Sequence, residues 1–271
     1  MNGSYQFEHL ENRHTEAAFL AERACLRLDD FPKLLRRHGL PSQGRVLEVG
    51  CGQGLRSSLI AKQSPALSVI GVDRSPELLA STQEHLNENA NLSFALADLY
   101  ELPFADGTFD FVYARLVFMH LNDPLKALKE LKRVLTPGGR ILIEDADRDC
   151  MFFEPAPASF KSYWQKIQEG QRQLGGDPNV GRKLAPYLRT LGFCNMTIEP
   201  QTLLGTGRDI EFLARTLLPS LNSYLSPHDQ REGARALQDL HELAQQPEAT
   251  FYHFWFVVSG ELPLPINEQG F

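Results

Sequence analysis

From Arg45 onward, short runs of apolar, β-branched residues alternate with stretches whose apolar positions recur at helical spacing. The runs Arg45–Val49, Ser68–Asp73, Leu92–Ala97, Phe109–Ala114 and Arg140–Asp145 predict strands. Leu55–Gln63, Pro76–Asn89 and Pro124–Leu135 predict the helices between them. Such alternation is the signature of an α/β doubly wound parallel sheet, whose ligand site lies at the carboxyl ends of the strands. A last helix is expected near Gly181–Leu191, and Met196–Leu203 and Phe251–Ser259 read as two final strands. Upstream, Phe7–His38 places Phe19, Ala24, Leu26, Leu34 and Leu35 at helical intervals and stops at Gly39 and Pro41, which predicts a helical arm.

Two stretches exceed what the sheet needs, Ala146–Val180 and Gly205–Thr250. Long insertions usually carry function. The first is rich in aromatics (Phe152, Phe153, Phe160, Tyr163, Trp164), and both can fold over the ligand edge, so with the arm they read as a helical lid. The expected plan is an N-terminal arm over residues 1–40 and one domain over 41–271 with insertions at 146–180 and 205–250. A chain of 271 residues with 42% hydrophobic content can bury one elaborated α/β core.

The chemistry begins at residues 45–54, Arg-Val-Leu-Glu-Val-Gly-Cys-Gly-Gln-Gly, a buried strand opening onto a glycine turn. Gly50, Gly52 and Gly54 allow a sharp turn and close approach to a ligand. No Gly-Lys-Ser/Thr follows, which excludes a phosphate-cradling Walker loop, and Leu55 breaks the dinucleotide pattern Gly-x-Gly-x-x-Gly. Glu48 at the mouth of the turn would repel a pyrophosphate and favours a ligand carrying an amino group and a sulfonium. Asp73, ending the second strand some twenty residues on, suits ribose hydroxyls.

Glu48-Val-Gly-Cys-Gly-Gln-Gly54 resembles motif I of the class I S-adenosylmethionine (SAM)-dependent methyltransferases. Four further segments agree in order and spacing: 71–79, 97–104, 109–120 and 131–143, within a firm resemblance over roughly residues 40–145 to the UbiE-like, small-molecule type. The resemblance implies a Rossmann-like seven-stranded sheet of order 3-2-1-4-5-7-6 with the last strand antiparallel, and SAM as cofactor with S-adenosylhomocysteine (SAH) as product. Carried over residue by residue, Gly50, Cys51, Gly52 and Gly54 bring main chain against the cofactor, with Cys51 serving as a small turn residue. Glu48 faces its amino end and Asp73 accepts its ribose hydroxyls. Arg74 flanks the adenine, Asp98 and the Leu99 backbone meet its ring, and Arg115 contributes backbone near the methionine amine. Methyl transfer needs alignment above all. His120, after strand four, is the candidate base or a residue orienting its loop. Asp145 is a second catalytic candidate, within the cluster Glu144, Asp145, Asp147 and Asp149, which could bind a cationic acceptor, accept a proton or hold a metal. No His lies in that cluster, and no metal is expected. Arg182 is a candidate partner for an acceptor carboxylate or for a surface carboxylate.

The remaining features narrow the acceptor. With 27 basic against 34 acidic residues the net charge is −7, which disfavours nucleic acid. Strand four continues as Tyr113-Ala-Arg-Leu, without the Asn/Asp-Pro-Pro-Tyr turn that holds planar amines in some family members. No tyrosine has lysine four positions on, which excludes a short-chain oxidoreductase relay. A small-molecule acceptor is expected, methylated on O, N or C. The competing reading is a SAM- or SAH-binding protein without methyltransferase activity, acting as a sensor or assembly partner. Four scattered cysteines suggest reduced thiols, and no apolar run reaches bilayer length, so a cytoplasmic protein without membrane insertion is expected, with a homodimer allowed.

Overall fold

The computed structural model describes residues 3–5, 7, 10 and 12–265; the rest of the arm expected over residues 1–40, and the extreme C-terminus, lie outside the described residues. In chain order the strands are β1 (Gly44–Val49), β2 (Leu67–Asp73), β3 (Leu92–Leu96), β4 (Phe109–Arg115), β5 (Leu135–Glu154), β6 (Cys194–Thr206) and β7 (Thr250–Glu261). They form one sheet of order β3-β2-β1-β4-β5-β7-β6, parallel except for β7, which runs antiparallel to both β5 and β6. The expected order and the antiparallel last strand are both present.

The central strands β1, β4 and β5 send apolar side chains to both faces of the sheet, because both faces are covered. Val46, Phe111 and Leu142 pack on one face with Phe31 and Leu35 of α2 (Phe31–Arg37) and Ile60 of α3 (Leu55–Ala61). Leu47, Val49, Val112, Ile141 and Ile143 point to the other face, beneath Leu128 and Leu131 of α6 (Pro124–Val134) and Leu188 of α8 (Leu184–Thr190). The period-2 alternation of each strand therefore feeds two separate cores.

Several elements depart from their sequence-based bounds. The arm is two helices, α1 (Arg13–Ala24) and α2, separated by Arg27 in the left-handed region and restarted at Pro32. The helix expected over Pro76–Asn89 is split into α4 (Pro76–Leu79), a 3-10 turn and α5 (Gln83–Glu88), where the Thr82 hydroxyl donates to the Leu79 carbonyl. The largest correction concerns strand five. Instead of ending at Asp145, β5 continues to Glu154, and after an irregularity it pairs Met151–Glu154 with Thr250–His253 of β7. Residues 146–154, expected as the start of a lid, are sheet.

Beyond that extension, α7 (Phe160–Gln173), α9 (Gly207–Thr216), α10 (Leu218–Leu221) and α11 (Gln230–Leu243) form a cap with a core of its own. Tyr163 and Ile167 of α7 meet Ile210 and Leu213 of α9 and Leu240 of α11, and Met151 and Phe153 of β5 and Phe251 of β7 join them. The cap is thus built onto the lengthened strands, not hung from a loop. α1 lies against α9.

Candidate functional site

The turn after β1 and the end of β2 are tied together by one carboxylate. Asp73 Oδ2 accepts the Gly52 N–H at 2.8 Å and its Oδ1 accepts the Ser75 N–H at 2.9 Å; burial raises its pKa against those two hydrogen bonds. Gly52 has φ +55° and nothing within 4 Å of where a Cβ would stand, so the turn presents bare main chain to open space. Gly54 differs. It also has positive φ, but a Cβ there would lie 2.4 Å from the Phe94 ring, so it serves the packing of α3 on the sheet. Glu48 is buried at the floor of the turn, with its Oε2 accepting from the Ser57 hydroxyl, and burial raises its pKa to about 7.

These groups open into a cavity of about 540 Å³, a size suited to small molecules. Glu48, Gly50, Cys51, Gly52, Asp73 and Arg74 line it, and so do Asp98, Leu99, Arg115 and His120. Two expected site residues lie elsewhere. Gly54 does not reach the cavity. Asp145, expected as a catalytic candidate, is fully buried and accepts from the N–H groups of Phe118, Met119 and Ala146, which fixes the turn after β4. With its acceptor capacity spent on backbone donors, it faces no substrate space.

The rest of its acidic cluster is also paired. Glu144 accepts from Tyr113 and Trp255, Asp147 from Arg182 and Asn179, and Asp149 from Arg182 at 3.1 Å. Arg182 is therefore a partner of neighbouring carboxylates. Among the described residues no group of His, Cys, Asp or Glu has a metal-holding arrangement.

His120 stands in the cavity wall and is held on several sides. Its Nδ1 is 3.4 Å from the Ser4 hydroxyl and 3.2 Å from the Tyr224 hydroxyl, its ring lies 5.1 Å from that of Tyr5, and its carbonyl accepts the Ser4 N–H at 2.8 Å. Burial, reinforced by the positive charges of Arg148, Arg74 and Arg23, lowers its pKa to about 3.

The cap half of the cavity holds Trp164, one of the aromatics of the first insertion, and residues the sequence did not single out: Glu16, Arg23, Arg148, Tyr224 and His253. Glu16 and Arg23 form a 2.7 Å ion pair on α1, and Arg23 also donates to the Thr216 carbonyl at 2.6 Å and the Ser220 hydroxyl at 3.0 Å. The Tyr5 hydroxyl donates to Glu16 at 3.1 Å. Glu16, Leu20 and Arg23 recur at i, i+4 and i+7, a helical face that a search for apolar residues alone overlooks.

A family model described as a methyltransferase domain matches residues 47–143, from the middle of β1 into β5. Those residues thus match a methyltransferase domain, and the sheet order is the one a class I SAM-dependent methyltransferase would have. Over 151 residues it is 44% identical to an uncharacterised methyltransferase of Schizosaccharomyces pombe, covering 52% of this chain and 53% of that protein. The chain spans about half the length of the curated relatives it matches. Among solved structures, the fold is similar to that of phosphoethanolamine N-methyltransferase 2 of Haemonchus contortus, with a TM-score of 0.63 at 23% identity over 96% of this chain and 60% of that one. It is similar also to that of the [4+2]-cyclase SpnF, with a TM-score of 0.56 at 21% identity over 87% and 82%. At such identities the likeness is one of fold.

Proposed function

We propose that this protein binds SAM in the sheet half of the cavity and methylates a small molecule held in the cap half. The observation that carries the reading is the continuity of one cavity from the Glu48 and Asp73 carboxylates to the cap side chains of Arg148, Trp164 and Tyr224. The donor set fits the cofactor: an open main-chain cradle at Gly52, a carboxylate at the end of β2 for a ribose, and a buried carboxylate at Glu48 for an amine. When bound, SAM supplies a methyl group on a sulfonium that departs as a neutral thioether. The chain's own share is to align the acceptor and exclude water. α1, the cap helices and the residues around Ser4 cover the cavity, which supports a lid role for the arm and insertions. His120, tied to Ser4 and Tyr224 and held neutral, suits orientation of that cover better than storage of an abstracted proton. The net charge of −7 supports a small acceptor over a polyanion. Cys25, Cys51, Cys150 and Cys194 are all free, in keeping with a cytoplasmic setting.

Calorimetric titration with SAH, followed by a methyl-label screen of SAM and protein against a metabolite library, tests the reading. Saturable SAH binding and a labelled product of small mass are expected. SAH binding without any labelled acceptor would favour a binding protein, and absence of SAH binding would sink both readings.

A further inference from the structure

Arg148 is 5% exposed, yet among the described residues its guanidinium has no carboxylate partner and its Nε has no hydrogen-bond acceptor. It lines the cavity and lies between two aromatic faces, 5.4 Å from the Trp164 ring and 5.9 Å from the Tyr224 ring. Its backbone fixes it there, with its N–H donating to the Pro178 carbonyl at 3.0 Å and its carbonyl accepting the Trp164 indole N–H at 2.6 Å. A buried cation stacked on rings recovers part of its lost hydration, but donors aimed into a cavity still require an acceptor.

The other charges of the cavity are spoken for. Arg23 is neutralised by Glu16. Arg56 and Arg115 act on Glu48, and Arg74 acts on Asp73, all in the cofactor half. Arg148 acts instead on His120 and His253, which burial keeps neutral, while the charge of Asp145 reaches it without an ion pair, that carboxylate being bonded to the N–H groups of Phe118, Met119 and Ala146. Met151, Leu217 and Leu221 add apolar surface to the same cavity.

We infer that Arg148 recognises an anion on the methyl acceptor, and that the acceptor is an amphipathic small molecule carrying a single carboxylate. One unmatched guanidinium calls for one negative charge in a planar group that its fork can grip, and the apolar surface takes the remainder of the molecule. This rests on the methyltransferase reading above.

The test uses the full chain with and without saturating SAH, and matched probes: 3-phenylpropionate with 3-phenylpropionamide, octanoate with octanamide, and phenethyl phosphate. By calorimetry the acids should bind at least about tenfold more tightly than their amides, the scale of a charge-assisted hydrogen bond. Arg148→Met should erase that preference while SAH affinity stays unchanged, and Arg148→Lys should keep part of it. Equal affinity for acid and amide, binding of none of the probes, or phosphate preferred over carboxylate would overturn the inference. So would loss of SAH affinity in Arg148→Met, which would assign the guanidinium to the cofactor. The acid-to-amide comparison is made on the unmutated protein and so does not depend on how the variants fold. Failure of SAH to bind the unmutated protein would instead strike the methyltransferase reading, with the probe preference still measurable in its absence.

Discussion

The Gly52 N–H and the Asp73 carboxylate meet at 2.8 Å, joining the turn after β1 to the end of β2 across the mouth of the cavity. Asp73→Ala should therefore weaken SAH binding by about 1–3 kcal/mol, as when hydrogen bonds to a charged acceptor are lost. It should also loosen the turn. Asp73→Asn, which keeps one acceptor oxygen, should lose less. Calorimetry on folded variants reads both, and unchanged affinity in Asp73→Ala would remove the residue from the site.

Gly52 and Gly54 separate binding from packing. Both have positive φ, so an alanine at either costs about 1–2 kcal/mol in backbone strain. Gly54→Ala should cost about 1–3 kcal/mol more in denaturant melts, because its Cβ collides with Phe94. Gly52→Ala should show no such excess and should lose SAH affinity instead. Equal destabilisation by the two would contradict the open cradle.

The raised pKa of Glu48 makes cofactor affinity depend on pH. In the free protein its carboxyl holds a proton up to about pH 7, well above the ordinary carboxylate range. A cationic amine gains from it only when it is ionised. SAH affinity should rise as pH increases through that value and fall below it, and Glu48→Gln should flatten the curve. For the ligand-free protein the sign is opposite. The raised pKa stabilises the fold at low pH, and that contribution is lost as pH rises toward 7.

His120 is depressed, so its linkage runs the other way. The unfolded chain takes up a proton near the ordinary value of about 6.5 that the folded protein refuses until about 3, so stability is lost as pH falls between them. His120→Ala should remove that part of the slope, and should lower melting temperature and methylation rate together through the lost contacts to Ser4 and Tyr224. A kcat loss of about 10²-fold or more in an equally stable variant, with the acidic limb of the rate profile gone, would instead make it a general base.

SAH should protect the arm around α1 from limited proteolysis, because cover segments are among the least stable parts of a fold and ligand contacts order them. The Met151–Glu154 stretch, paired with β7, should resist cleavage with or without ligand. Identical cleavage of the arm in both states would mean that it is permanently packed.

What the sequence made legible is the part whose signal is local. The alternation of strands and helices, the turn at Gly50–Gly54 and the strand-end acids Glu48 and Asp73 are each written within a few residues. The departures come from long-range partners. Asp-Ala-Asp-Arg-Asp at 145–149 reads as a polar loop, yet it stays in β5 because Asp145 meets the backbone after β4 and Asp147 meets Arg182 and Asn179. Glu16 and Arg148 carry no local signal that sets them apart from solvated charges. Their surroundings are brought together only when α1, α7 and the 3-10 turn at Asn222–Tyr224 assemble around the cavity.

Because β5 and β7 continue past the irregularity after Ala146 from the cofactor-side sheet into the cap core, swinging the cap away would rupture the rungs from Met151↔His253 to Glu154↔Thr250 along with the packing of Phe153 on Phe251. Exchange of bound molecules then falls to α1, fastened by Arg23 to Thr216 and Ser220 and by Glu22 to Arg215. Under the proposed function, product release should wait on the breaking of these polar contacts at one helix and should quicken as salt screens them.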